Sequence, residues 1–186
     1  MARPRAFDEE RLLTGVMHAF RRKGYAATTV RDLEEAAGFT SGSLYNSYGD
    51  KQGLFAAASA HYLRTVVDRR LQTHAPAGSG IEGLRSLFLS LLDEPGGTTD
   101  GCLITNSAVE FSGEAPALVS EGFARLGATF ADRLREAFGI VRKEEAMALL
   151  ALYQGILVLV RSGADPAPLE ATIRDQFDKL ERLHDA

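Results

Sequence analysis

Apolar residues recur at helical spacing along almost the whole chain, and no convincing run of β-branched alternation interrupts them. Leu12, Val16 and Phe20, with Leu13 and Met17 beside them, form one stripe, and Gly24 ends that helix behind the basic run Arg21-Arg22-Lys23. Thr29 with Asp32 reads as a capping box opening a second helix that stops at Gly38. Thr40 or Ser41 can cap a short third helix to about Tyr48. Asp50 caps a fourth, with Leu54, Phe55, Ala58, Tyr62 and Val66 on one face. After the break HAPAGSG (His74 to Gly80), Ile81, Leu84, Leu87, Phe88 and Leu91 mark the next helix. The loop EPGGTTDG is the strongest breaker, and a helix starts after it near Cys102. Pro116 opens a long helix striped by Val119, Phe123, Leu126, Phe130, Leu134 and Phe138. The last two run from about Lys143 to Ser162 and from about Pro166 to His184, the latter behind an Asp165-Pro166 cap. The expected fold is all-α, with about nine helices.

A chain of 186 residues can bury a real core. Its single cysteine excludes an internal disulfide framework and suits a reducing cytosol. The start, MARPRAFDEERLL, lacks the apolar centre of a signal peptide. The uncharged run AMALLALYQGILVLV is 15 residues long, short of the roughly 20 that a membrane span needs. A cytoplasmic protein without a membrane partner is the expectation. Net charge is −4, but residues 1–51 hold eight Lys/Arg against seven Asp/Glu while the rest is acidic. That asymmetry alone decides nothing.

The chemistry concentrates in FTSGSLYNSYGDKQGLF, Phe39 to Phe55. Serine, threonine and glycine weaken a helix, so their crowding there asks for another reason. Gly38-Phe39-Thr40 is a three-residue joint between two short helices, with Phe39 and Leu44 expected to face inward beside Leu33 and Ala37. That is a helix-turn-helix, whose second helix would enter a major groove. Gly42 then clears room for a close backbone, and Thr40, Ser41 and Ser43 offer short donors and acceptors to phosphates and base edges. Tyr45 can donate to a phosphate, Asn46 belongs to the same set, and Tyr48 has a ring to anchor the helix on its core. Lys51 sits at the start of the fourth helix, where free N–H groups attract a phosphate. Arg31 is the best-placed guanidinium for a guanine edge, and Arg3 and Arg5 could form a basic arm. The same geometry also occurs as plain packing, and hydroxyls at a helix start also serve as caps.

The run TTVRDLEEAAGFTSGSLYNSYGDKQGLF, Thr28 to Phe55, resembles the amino-terminal domain of the tetracycline-repressor (TetR/AcrR) family of bacterial regulators. The resemblance implies a homodimeric repressor on a palindromic DNA operator, released by a small-molecule effector. It implies residues 1–50 as the DNA-binding domain and 51–186 as a ligand-binding and dimerisation domain. By position, Arg31, Ser41, Ser43 and Tyr45 would meet DNA and Lys51 a phosphate. The family often has Phe or Val at Tyr48 and a longer polar residue at Ser41, so operator sequence does not transfer.

The last two helices are the expected dimer surface. The run over 146–160 is apolar nearly all round, and Leu169, Ile173, Phe177 and Leu180 make a second stripe. These helices could instead fill the chain's own core. Helices four to eight are expected to enclose a pocket lined by GCLITNSAVEF, Gly101 to Phe111. Cys102 falls at a helix start, which favours a reactive thiolate, and Asn106 and Glu110 share its face. This segment is similar to one in a subgroup that includes electrophile-responsive repressors; the plain alternative is a small buried hydrophobe. Tyr62, Phe88, Phe111, Phe123 and Tyr153 are further lining candidates, or core. His18, His61, His74 and His184 are scattered, so no metal, cofactor or catalytic role is expected. The rival from another class is a dimeric small-molecule-binding or thiol-switch protein whose helix-turn-helix meets proteins.

Overall fold

The structure is a computed structural model that describes residues 5–93, 100–111, 116–140 and 142–182, with side chains described from Glu9 onward. Every regular element among them is helical: α1 (Arg5–Ala27), α2 (Val30–Ala37), α3 (Ser41–Tyr48), α4 (Lys51–Tyr62), α5 (Arg69–His74), α6 (Gly80–Leu89), α7 (Leu103–Glu110), α8 (Ala117–Phe138), α9 (Lys143–Arg161) and α10 (Pro166–Arg182). Between α4 and α5 the helix continues through a π-helical stretch, Leu63–Asp68. Counting that rod once, the described residues hold nine helices, as the periodicity implies. The π stretch has a visible consequence. It inserts an extra residue per turn, so the buried face after Tyr62 passes to Val67, and Val66, expected on that face, is only half-buried.

The chain divides into two compact units. The first comprises Met1–Val67 and Cys102–Glu121, so α4 and α7 pack together with the helix-turn-helix. Its core is Val16, Phe20, Leu33, Leu44, Leu54 and Phe55 with their neighbours, all buried. α1 is broken at Gly24, where φ is 79° and ψ 172°, a backbone no other residue adopts without strain. α1 and α2 approach so closely at Gly15 that a Cβ there would stand 2.0 Å from the Ala36 carbonyl oxygen. Arg5 already belongs to α1 instead of preceding it as an arm, and Arg3 lies outside the described residues, as do most of EPGGTTDG and His184.

The second unit comprises Asp68–Gly101 and Gly122–Ala186. Its centre is an aromatic cluster: Phe88 lies 5.7 Å from Phe130, 5.2 Å from Tyr153 and 5.2 Å from Phe177 between ring centroids. Such tilted and edge-on pairs add roughly 0.5–1.5 kcal/mol each beyond the area they bury. Arg85 of α6 clamps α10 through Asp178 and Glu181 at 2.9 and 2.8 Å. The α10 stripe of Leu169, Ile173, Phe177 and Leu180 is buried within this unit. Among the described residues no helix is long and apolar enough to cross a membrane.

Candidate nucleic-acid interface

The α2–α3 joint follows from local chemistry. Thr29 and Asp32 form the reciprocal capping box at the start of α2: the Asp32 backbone N–H donates to Thr29 Oγ1 and the Thr29 N–H to Asp32 Oδ2. Lys23 adds a 2.7 Å ion pair to Asp32, and these partners hold that carboxyl far below the usual carboxylate range. Gly38 takes the left-handed conformation at φ 72°, and its N–H closes α2 on the Glu34 carbonyl. Leu33, Ala37 and Leu44 are buried as expected. Phe39 is not: it is 41% exposed. The left-handed glycine reverses the chain before Phe39, which places that residue on the outside of the turn.

The cap of α3 also differs from the sequence reading. Thr40 occupies the N-cap position but its side chain makes no capping bond. Instead, Glu34 of α2 reaches across the joint, and Oε1 accepts the Ser41 N–H at 2.6 Å. The backbone and hydroxyl of Ser41 together hold the Glu34 carboxyl below its ordinary range. No local motif signals a cap donated from seven residues upstream. Only the fold brings Glu34 there.

With Leu44 turned inward, α3 presents Gly42, Ser43, Asn46 and Ser47 to solvent, while Ser41, Tyr45 and Tyr48 are half-buried at its edges. A Cβ added at Gly42 would meet nothing within 4 Å. Nothing in the protein's packing therefore requires glycine there, although it weakens the helix. Tyr48 leans back on α1: its hydroxyl donates to Glu9 Oε1 at 3.2 Å. Burial and the Glu9 charge push that phenol up to about 12, so it stays a donor. Arg31 is almost fully exposed and holds only Glu35, one turn on, at 2.9 Å; a pair in open solvent is worth little and exchanges readily.

At the start of α4, Asp50 accepts the Gly53 N–H at 2.8 Å. An anion there would rely on Lys51, whose Nζ sits 4.6 Å from the Tyr25 ring centroid.

The residues expected to line a ligand pocket fall in both units. Phe88 and Tyr153 are packed in the aromatic core of the second, where Phe123 is half-buried. In the first unit, Tyr62 ends α4 and the others sit on α7 or at its two ends. Cys102 occupies the N-cap position of α7 without a side-chain capping bond and is buried, with the Tyr62 hydroxyl donating to its Sγ at 3.2 Å. Asn106 donates to the Arg21 carbonyl at 3.1 Å. Glu110 accepts the Tyr25 and Ala26 N–H groups at 2.8 and 2.6 Å. Thus the shared face of Cys102, Asn106 and Glu110 ties α7 to α4 and to the kinked end of α1, and Phe111 joins Tyr25 and Phe55.

Residues 12–58 match the profile of a family described as bacterial regulatory proteins, tetR family. Over 153 residues the chain is 33% identical to the uncharacterized HTH-type transcriptional regulator YezE of Bacillus subtilis (strain 168), covering 78% of this chain and 74% of YezE. It is 30% identical over 113 residues to the HTH-type transcriptional repressor ComR of Escherichia coli (strain K12), 59% of this chain and 54% of ComR. Among solved structures, a cysteine mutant of the TetR family transcriptional regulator CifR, complexed with 26bp double-strand operator DNA, matches with a TM-score of 0.79 at 26% identity. That match covers 95% of this chain and 98% of CifR.

Proposed function

Because the chain belongs to the TetR family of bacterial regulatory proteins, we propose that it represses transcription by binding a palindromic DNA operator as a homodimer, and that a small molecule releases it. The observation that carries this reading is the outer face of α3. Its glycine faces open space, Ser43, Asn46 and Ser47 face solvent, and its capping is delegated to Glu34 on another helix. A helix built only to pack would have no use for that combination. In a major groove, Gly42 admits the duplex, Ser43 and Asn46 reach base edges, and Thr40, Ser41, Tyr45 and Lys51 reach phosphates. Arg31 exchanges Glu35 for a guanine edge. Tyr48 acts at one remove, by fixing α3 on α1 through Glu9.

The dimer is proposed through α9 above all. Met147, Ala151, Gly155, Val158 and Leu159 recur at helical spacing and are exposed, Met147 by 65%. The apolar stripe of α10 is used inside the chain, so its share of the interface falls to its outer face around Ala167 and Ala171. Two-fold pairing would set two copies of α3 about one helical turn of DNA apart, roughly 34–36 Å. Release then consists of changing that separation, with a coupling of about 1–3 kcal/mol. The protein acts in the cytoplasm, where its DNA lies.

Genome-wide recovery of bound fragments tests the reading. A shared palindrome is expected, bound with an affinity that falls steeply as salt rises and counterions are released. Absence of enriched fragments, or affinity indifferent to salt, would favour a small-molecule-binding protein whose helix-turn-helix meets other proteins.

A further inference from the structure

The first unit contains a cleft of about 650 Å³ on the face of α4, between the end of α1 and the start of α8. Three tilted rings wall one side: Tyr25 lies 5.2 Å from Phe55 and 5.2 Å from Phe111, and Phe55 5.7 Å from Phe111. Ala56 and Ser59 of α4 line it as well, and Glu121 is the one charged residue among the described lining. Ser59 is only 4% exposed, yet its Oγ has no hydrogen-bond partner. A helical serine ordinarily donates to the carbonyl one turn back; this hydroxyl does not, and because its Oγ has almost no exposed surface, a polar atom in the cleft would satisfy it by drawing the side chain round toward the opening. The volume falls in the range of small-molecule sites, about 300–1,000 Å³, and the mix of apolar walls with a few placed polar groups is that of a ligand site.

We infer that this cleft is an effector site inside the DNA-reading unit, for a neutral aromatic compound carrying one hydrogen-bonding group. The rings take its flat face, Ser59 takes its polar atom, and Glu121 disfavours anions. The site is coupled to the interface through a shared side chain. The Tyr25 ring that walls the cleft also seats Lys51 Nζ, and its backbone N–H is held by Glu110. A ring wedged beside Tyr25 shifts that seat, and Lys51 leaves the position from which it would meet a phosphate. The consequence for DNA rests on the repressor reading above; binding in the cleft does not.

The test uses 2-naphthol as probe, titrated first into the full chain without DNA and followed by its fluorescence. One saturable site is expected. Ala56→Trp, which fills the cleft from a solvent-exposed helix position, should weaken binding at least tenfold, and Ser59→Ala should weaken it several-fold. Circular dichroism checks both folds, and Ser59→Ala decides if Ala56→Trp unfolds. In a second arm, naphthol should reduce the affinity of the wild type for its recovered DNA fragment five-fold or more and leave the filled variant unmoved. No saturable binding, equal affinity in all three proteins, or cleft binding that leaves DNA affinity unchanged overturns the inference. Failure of the unliganded protein to bind any DNA instead sinks the repressor reading, while the first titration still judges the cleft.

Discussion

Two glycines separate what the fold demands of a residue from what a partner demands. Gly15 is required by packing, since a Cβ would press into the Ala36 carbonyl at 2.0 Å. Gly15→Ala should therefore destabilise the chain by about 1–3 kcal/mol, as overpacked sites do. Gly42 faces open space, so Gly42→Ala should stabilise the helix by about 0.5–1 kcal/mol. The same change should weaken operator binding roughly tenfold, about 1.4 kcal/mol, because the added methyl keeps the duplex away. Paired thermal melts and DNA titrations on both variants check this. A Gly42→Ala protein that is more stable and binds as well as the wild type would remove Gly42 from the interface. The sequence assigns Gly42 the task of clearing room for a close backbone, and the structure adds that nothing in the protein's own packing asks for glycine there.

Among elements, the joint between α2 and α3 depends on a charge. Glu34 caps α3 as a carboxylate, and its hydrogen bonds from Ser41 depress its proton affinity. The folded state accordingly binds the Glu34 proton less readily than the unfolded chain. The contribution is therefore complete above the ordinary glutamate value of about 4.3 and is lost as pH falls through the lower folded value. Glu34→Gln should flatten the acid limb of the stability curve and lower operator affinity at neutral pH, with little change in overall helicity. Urea melts between neutral pH and about pH 3 measure it, and an unchanged acid limb would show that the cap is dispensable. Thr29, Asp32 and Gly38 were legible because their bonds are local in sequence. The Glu34 cap, the Glu9–Tyr48 bond and the outward Phe39 were not, since each depends on how α1, α2 and α3 meet.

For the whole molecule, α9 carries the argument. Its inner positions Ala146, Leu149, Tyr153 and Ile156 are buried, while Met147, Val158 and Leu159 face solvent. Leu159→Glu should leave the helical spectrum and melt close to wild type while converting a dimer to single chains in light scattering. Operator affinity should then fall roughly 100-fold or more, as the second half-site contact becomes intermolecular. A variant that stays dimeric would move the interface elsewhere. Periodicity alone marked both α9 and α10 as apolar, but it could not say which stripe the chain keeps for itself. Arg85 and the aromatic cluster claim the stripe of α10.

What the residues determined by themselves is everything set by neighbours within a turn or two: helix number, most caps, the helix-turn-helix joint and the bare face of α3. These rest on backbone hydrogen bonds and side-chain periods of short reach, which a linear string records faithfully. The tertiary structure alone decided the cap that Glu34 lends to α3, the slip of register after Tyr62, and the tie from Cys102, Asn106 and Glu110 to α1 and α4. It also decided that Tyr25 is shared between a cleft and Lys51. Each of these needs groups far apart in the chain to meet at a few ångströms, and that meeting is a property of packing, which no local pattern encodes.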